Sequence, residues 1–117
     1  MNERSPITTH VLDLNRGSPA GGVSVTIERS SGPSEWKCLA KGITSSDGRV
    51  EALFPAGTKL EAGVYRLTFQ TREYFTIQKI KSFYPFVAIV FEITASDEHY
   101  HVPLLLSAHG YSTYRGS

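Results

Sequence analysis

Only one cysteine, Cys38, occurs in the chain, so neither an intramolecular disulfide nor a multi-cysteine metal site can form. It sits in the alternating stretch EWKCLAKG, where a free thiol is expected to be a buried structural residue. No apolar run reaches the ~18 residues of a membrane-spanning helix. The opening MNERSPITTH lacks the apolar segment of a secretory signal. A surplus of charge is missing too: the net charge is +1, and Lys79 with Lys81 is too thin a basic group to track phosphates. Low-complexity tracts, a G-x-x-x-x-G-K-[ST] phosphate loop and a G-x-S-x-G nucleophile elbow are all absent. The expectation is a soluble cytoplasmic domain with no membrane or nucleic-acid partner. A closing Ser-Lys-Leu peroxisomal address is also missing, although a peroxisomal location stays open.

What is present is a rhythm. The 117 residues suit one domain, 1–117, with residues 1–5 expected to be flexible. ITTHVLDL (7–14) and VSVTIERS (23–30) alternate with period two, as do EWKCLAKG and VYRLTFQ (64–70). Asp47-Gly48 suits a tight turn needing positive φ, followed by a short strand at about 50–53. FVAIVFEI (86–93) is a near-continuous apolar run and reads as a central strand buried on both faces. HYHVPLLLS and YSTY close the series. TREYFTIQKIK (71–81) breaks it with helical spacing and a threonine at the N-cap position. Eight short strands and one helix predict an all-β sandwich of two four-stranded sheets.

The polar residues on these strands carry the chemistry. His10 is in phase with Thr8 and Leu12, opposite Ile7, Thr9 and Val11. His101 is in phase with His99, Pro103 and Leu105, opposite Tyr100, Val102, Leu104 and Leu106. An outer face with two histidines beside Leu12 and Leu105 is too apolar for plain solvent contact and marks an interface or pocket. Pro103 cannot donate to a ladder, so its strand should be irregular or near an edge there. H-x-H can hold zinc with a third ligand such as His10 or Asp97, but two imidazoles alone are a weak signal. The pattern better fits histidine and arginine acting on water. A neutral imidazole accepts a proton near neutral pH, and a permanently charged guanidinium (Arg49 or Arg115) holds an oxyanion.

The stretches THVLDLNRGSPAGGVSV, GITSSDGRV, AGVYRLTF, FYPFVAIVF and HYHVPLLLSAHGYSTYRGS run in order over nearly the whole chain. They resemble the transthyretin-related family of 5-hydroxyisourate hydrolases. The resemblance implies a transthyretin-like sandwich of eight strands with one helix, at about 71–81. It implies a homotetramer, a dimer of dimers whose active sites lie at the dimer–dimer interface, at the mouths of a central channel. It implies hydrolysis of 5-hydroxyisourate in urate degradation with no metal or other cofactor. By the same resemblance His10, Arg49, His101 and Ser117 are expected at the catalytic positions. Tyr114, Arg115, Gly116, Ser112, Leu105 and Pro103 are expected to bind substrate. Hormone-carrying transthyretins have lysine at the position of His10 and threonine at that of His101, and lack the Tyr-Arg-Gly-Ser ending. Both histidines therefore oppose a carrier role. Ala108 stands where the family commonly has proline, and His109 where it commonly has an aromatic residue.

Overall fold

Alternating sequence becomes strand nearly throughout the computed structural model, which describes residues 5–50 and 53–116. The elements are β1 (Ile7–Asp13), β2 (Ser18–Pro19), β3 (Ser24–Gly32), β4 (Glu35–Ile43), β5 (Gly63–Phe69), α1 (Thr71–Ile77), β6 (Val87–Ile93), β7 (Tyr100–Leu106) and β8 (Tyr111–Thr113). They form two four-stranded sheets, ordered β2-β1-β7-β8 and β4-β3-β5-β6. The pairings are antiparallel except for β1 with β7, which run parallel. Ile7, Val11, Leu104 and Leu106 of the first sheet share one core with Val25, Ile27, Leu67 and Phe69 of the second. Each such side chain contributes roughly 1.5–3 kcal/mol by leaving water. The parity expected from sequence therefore holds, and the faces of His10 and His101 point away from this core.

Several sequence expectations change in the structure. The helix ends at Ile77 rather than about residue 81. Lys79 adopts a left-handed backbone (φ 60), and Ile80 N–H and Lys79 N–H bond back to Phe75 O and Thr76 O. That closing motif stops the helix without the usual glycine. At the other end Gln70, not Thr71, is the N-cap, and Thr71 is buried in the first turn.

FVAIVFEI is an edge strand, since β6 has only β5 as a partner among the described strands. Its burial alternates, leaving Val90 57% exposed. Cys38 is exposed because β3–β4 pairing shifts register between Ile27↔Ala40 and Glu28↔Cys38. This bulge opposes two residues to one and so reverses the parity beyond it. Pro103 lies inside the sheet, on β7 between β1 and β8. Tyr100 N–H and Leu106 C=O bond on the β1 side, so by alternation Pro103 turns its missing donor toward β8. There the partner strand has already broken, between Thr113 and the isolated bridge at Gly116.

Of the strand expected at about 50–53, residues 51 and 52 lie outside the described residues. Arg49, just before it, makes a single bridge to His10. Ser18–Pro19, between the alternating stretches 7–14 and 23–30, supplies a short strand instead. Of the segment expected to be flexible, residues 1–4 also lie outside the description, while the Ser5 carbonyl meets His99 Nδ1 at 2.8 Å.

Candidate active site

Parallel pairing of β1 with β7 sets Thr8 opposite His101, His10 opposite Pro103 and Leu12 opposite Leu105. The two histidines thus share the outer face of the sheet, two register positions apart along it. Both are half-buried.

A loop delivers Arg49 to His10. Ser45 N–H bonds Arg49 O at 2.8 Å, and Gly48 N–H bonds Ser45 O at 2.8 Å, closing the Asp47-Gly48 turn foreseen in the sequence. Val11 N–H then bonds Gly48 O at 2.8 Å, which docks the turn on β1. Gly48 is required twice over: its φ is +82, and a Cβ there would sit 2.4 Å from Val11 O. His10 Nε2 lies 2.8 Å from Asp47 O, so this nitrogen carries the hydrogen and donates. The Asp47 carboxylate accepts from Ser45 Oγ and from Arg49 N–H, and these bonds hold its pKa below the usual aspartate value. It also lies 3.9 Å from Arg49 Nε, restraining a guanidinium that is otherwise half exposed.

A second segment, the tail, closes on His101. Thr113 Oγ1 donates to Pro103 O at 2.7 Å, and Gly116 N–H donates to His101 O at 2.8 Å. Gly116 approaches the imidazole closely; a Cβ at this position would come within 2.5 Å of His101 Cδ2. His101 Nδ1 sits 2.8 Å from Thr8 Oγ1, which also meets His99 Nε2 at 3.0 Å. Burial, followed by the charges of Arg49, His99 and His10, holds the pKa of His101 below the ordinary histidine value, opposed by a hydrogen bond at Thr8. His101 is therefore a neutral imidazole at neutral pH.

Most of the residues singled out from sequence meet here. His10, His101, Pro103 and Leu105 line one sheet face, Arg49 and Gly116 join it by backbone bridges, and Ser112 pairs with Leu105 at its margin. Tyr114 and Arg115 go elsewhere. They line a cavity of ≈ 420 Å³ between the tail and β6, together with Val90, Tyr100 and Val102. The Arg115 guanidinium lies 4.5 Å from the Tyr100 ring centroid and 3.0 Å from Glu98 Oε1. Ser117 lies outside the described residues. Neither His10 nor Asp97 joins the H-x-H pair in a metal-binding group among the described residues. Thr8 and Ser45 were not singled out by sequence, and Asp47 only as a turn residue. Thr8 shared the parity of His10, but only the β1–β7 register shows that it faces His101.

A two-sheet sandwich with two imidazoles and a guanidinium on the outer face of one sheet defines a small β-domain built for proton transfer or anion binding at a surface. The chain belongs to the HIUase/Transthyretin family, whose model matches residues 7–116. It is 45% identical over 111 residues to the 5-hydroxyisourate hydrolase of Salmonella dublin, covering 95% of this chain and 80% of that one. Among solved structures, the 5-hydroxyisourate hydrolase of Klebsiella pneumoniae superposes with TM-score 0.81 at 35% identity, covering 97% of this chain and all of the other. Sea bream transthyretin in complex with thyroxine superposes with TM-score 0.89 at 31% identity, covering 96% of this chain and 95% of that chain.

Proposed function

We propose that this chain hydrolyses 5-hydroxyisourate to 2-oxo-4-hydroxy-4-carboxy-5-ureidoimidazoline, a step of urate degradation. The observation that carries the reading is the meeting of His10, His101 and Arg49 on one outer sheet face, in a chain 45% identical to a 5-hydroxyisourate hydrolase. In the reaction, water adds to a ring carbonyl, the C–N bond of the cyclic amide breaks, and the leaving nitrogen takes a proton.

The two histidines divide the work. His10 already donates from Nε2 to a carbonyl, so it serves to hold the site and the substrate. His101 is neutral and has no partner at Nε2 among the described residues. Its Nε2 takes the proton from water and returns it to the leaving nitrogen. Arg49 neutralises the anionic substrate and the tetrahedral oxyanion, a contact worth ~3–4 kcal/mol in such sites. No metal or other cofactor enters the scheme.

A homotetramer, a dimer of dimers, would cover the outer face of Leu12 and Leu105 and place a site at each channel mouth. Two observations support it: Leu14 is 58% exposed beside this face, and the fold is shared with transthyretins.

The higher superposition score belongs to a transthyretin solved with thyroxine, and this favours a second reading as a carrier of a hydrophobic ligand. Fold likeness does not rank activities, however, and two imidazoles beside a guanidinium are chemistry a carrier does not need. One assay separates the readings. Generated in situ by uricase, 5-hydroxyisourate should lose its ultraviolet absorbance much faster with this protein than without it. Unchanged decay, with thyroxine bound in a competition assay, would establish the carrier.

A further inference from the structure

We infer that Thr8 and His99 are positioning residues that fix the tautomer of His101, through a hydrogen-bond chain anchored on the Ser5 carbonyl. The inference rests on the reading of His101 as the base. Its starting point is the one group in the chain with a single possible role: a carbonyl oxygen only accepts. Ser5 O lies 2.8 Å from His99 Nδ1, so Nδ1 carries the hydrogen. At a pH where His99 is neutral, its Nε2 carries no hydrogen and can accept from Thr8 Oγ1, 3.0 Å away. The threonine hydroxyl has one hydrogen, and it is given to His99. Facing His101 Nδ1 at 2.8 Å, Thr8 Oγ1 can then only accept. His101 must therefore carry its hydrogen on Nδ1, and the lone pair falls on Nε2.

Each link lies on a different segment. Ser5 precedes β1 and Thr8 lies within it, while His99 precedes β7 and His101 lies within it. The parallel register of β1 with β7 alone brings them together. Thr8 is half-buried, so bulk water competes weakly for its hydroxyl. An imidazole held in the opposite tautomer would present N–H to the attacking water and could not act as base. The chain thus does for His101 what a carboxylate does for the histidine of a serine-protease triad, with a hydroxyl and a second imidazole in place of the charge. It orients the ring without adding an anion beside a substrate that is itself anionic.

The test is made on the full chain with ¹⁵N-labelled histidine at pH 8, where ordinary imidazoles are neutral. Long-range ¹H–¹⁵N correlation reads which ring nitrogen is protonated. The native protein should show His101 with hydrogen on Nδ1 and a bare Nε2, and Thr8→Val should lose that preference while Thr8→Ser keeps it. In steady-state kinetics on 5-hydroxyisourate, Thr8→Val and His99→Leu should each lower kcat by roughly 10²-fold, the lower end of a positioned base's contribution, with KM little changed. Thr8→Ser should recover most of the loss. A native His101 protonated on Nε2, a tautomer indifferent to Thr8→Val, or native kcat in both variants would overturn the inference. The native spectrum needs no variant, so poor folding of Thr8→Val does not protect it. The expected tautomer in a chain that leaves 5-hydroxyisourate untouched would uphold the chain of bonds and overturn the substrate.

Discussion

His10 and His101 stand on neighbouring strands of one sheet, and each is approached by a segment that reaches it through a glycine. Gly48 brings the Asp47–Arg49 turn onto His10; Gly116 brings the tail onto His101. The two approaches look alike in backbone and differ in what they leave the ring free to do. At His10 the arriving segment takes the ring itself, since Nε2 is tied to Asp47 O at 2.8 Å. At His101 it takes the strand's carbonyl instead, Gly116 N–H bonding His101 O, and the ring is held from the other side by Thr8. The same residue on the same sheet face thus becomes a fixed donor in one place and an available base in the other. Residue type sets what a histidine can do, and the partner of each ring nitrogen sets which of those things it does.

The comparison can be broken most severely, short of removing a histidine, at the charge the two sites share. Arg49→Met should cost about 10²–10³-fold in kcat/KM through loss of oxyanion and substrate stabilisation. It should also leave a signature at His101. Arg49 is one of the cations that hold the His101 pKa down, so removing it raises that pKa. His101 acts as base in its neutral form, so activity falls as pH falls through its pKa. The acid limb of the native pH–rate profile should therefore lie below pH 6.5, the ordinary value for histidine. In Arg49→Met it should move to higher pH. A limb that stays in place would detach Arg49 from His101.

A smaller effect separates the two glycines. Gly48→Ala forces a side chain into a left-handed backbone, at about 1–3 kcal/mol, and drives Cβ into the Val11 carbonyl. Its melting temperature should fall by several degrees, and activity should fall with it. Gly116→Ala meets the His101 ring and the Pro103 side chain on the outer face of the sheet, with no backbone atom among its nearest neighbours. It should leave melting nearly unchanged and lower kcat by tilting the ring. Equal thermal losses in the two variants, read by circular dichroism, would erase the distinction.

The strands, the two faces of β1 and β7 and the Asp47-Gly48 turn were legible in the sequence because each depends on local pattern: period two for the faces, positive φ for the turn. What was not legible depends on partners. FVAIVFEI is apolar enough for a central strand, but its place at the edge follows from what lies beside it. Cys38 faces solvent because of a bulge, which breaks the alternation the reading relied on. Lys79 ends the helix in a conformation that composition would assign to glycine. Arg115 was assigned to the pocket by resemblance, whereas its guanidinium is engaged by Glu98 and the Tyr100 ring. Thr8 and His99 were visible as neighbours of the two histidines, yet the bonds between them exist only across a parallel pairing that joins residues 91 and 93 positions apart.

The division of labour between the two histidines is tested most directly by the decay of 5-hydroxyisourate with His101→Asn and His10→Asn side by side. If His101 is the base, His101→Asn should lose roughly 10²–10⁴-fold in kcat while binding substrate nearly normally. His10→Asn loses the Nε2 donor to the Asp47 carbonyl but removes no base, and should keep clearly more turnover than His101→Asn. Native turnover in His101→Asn, or a greater loss in His10→Asn, would contradict the account.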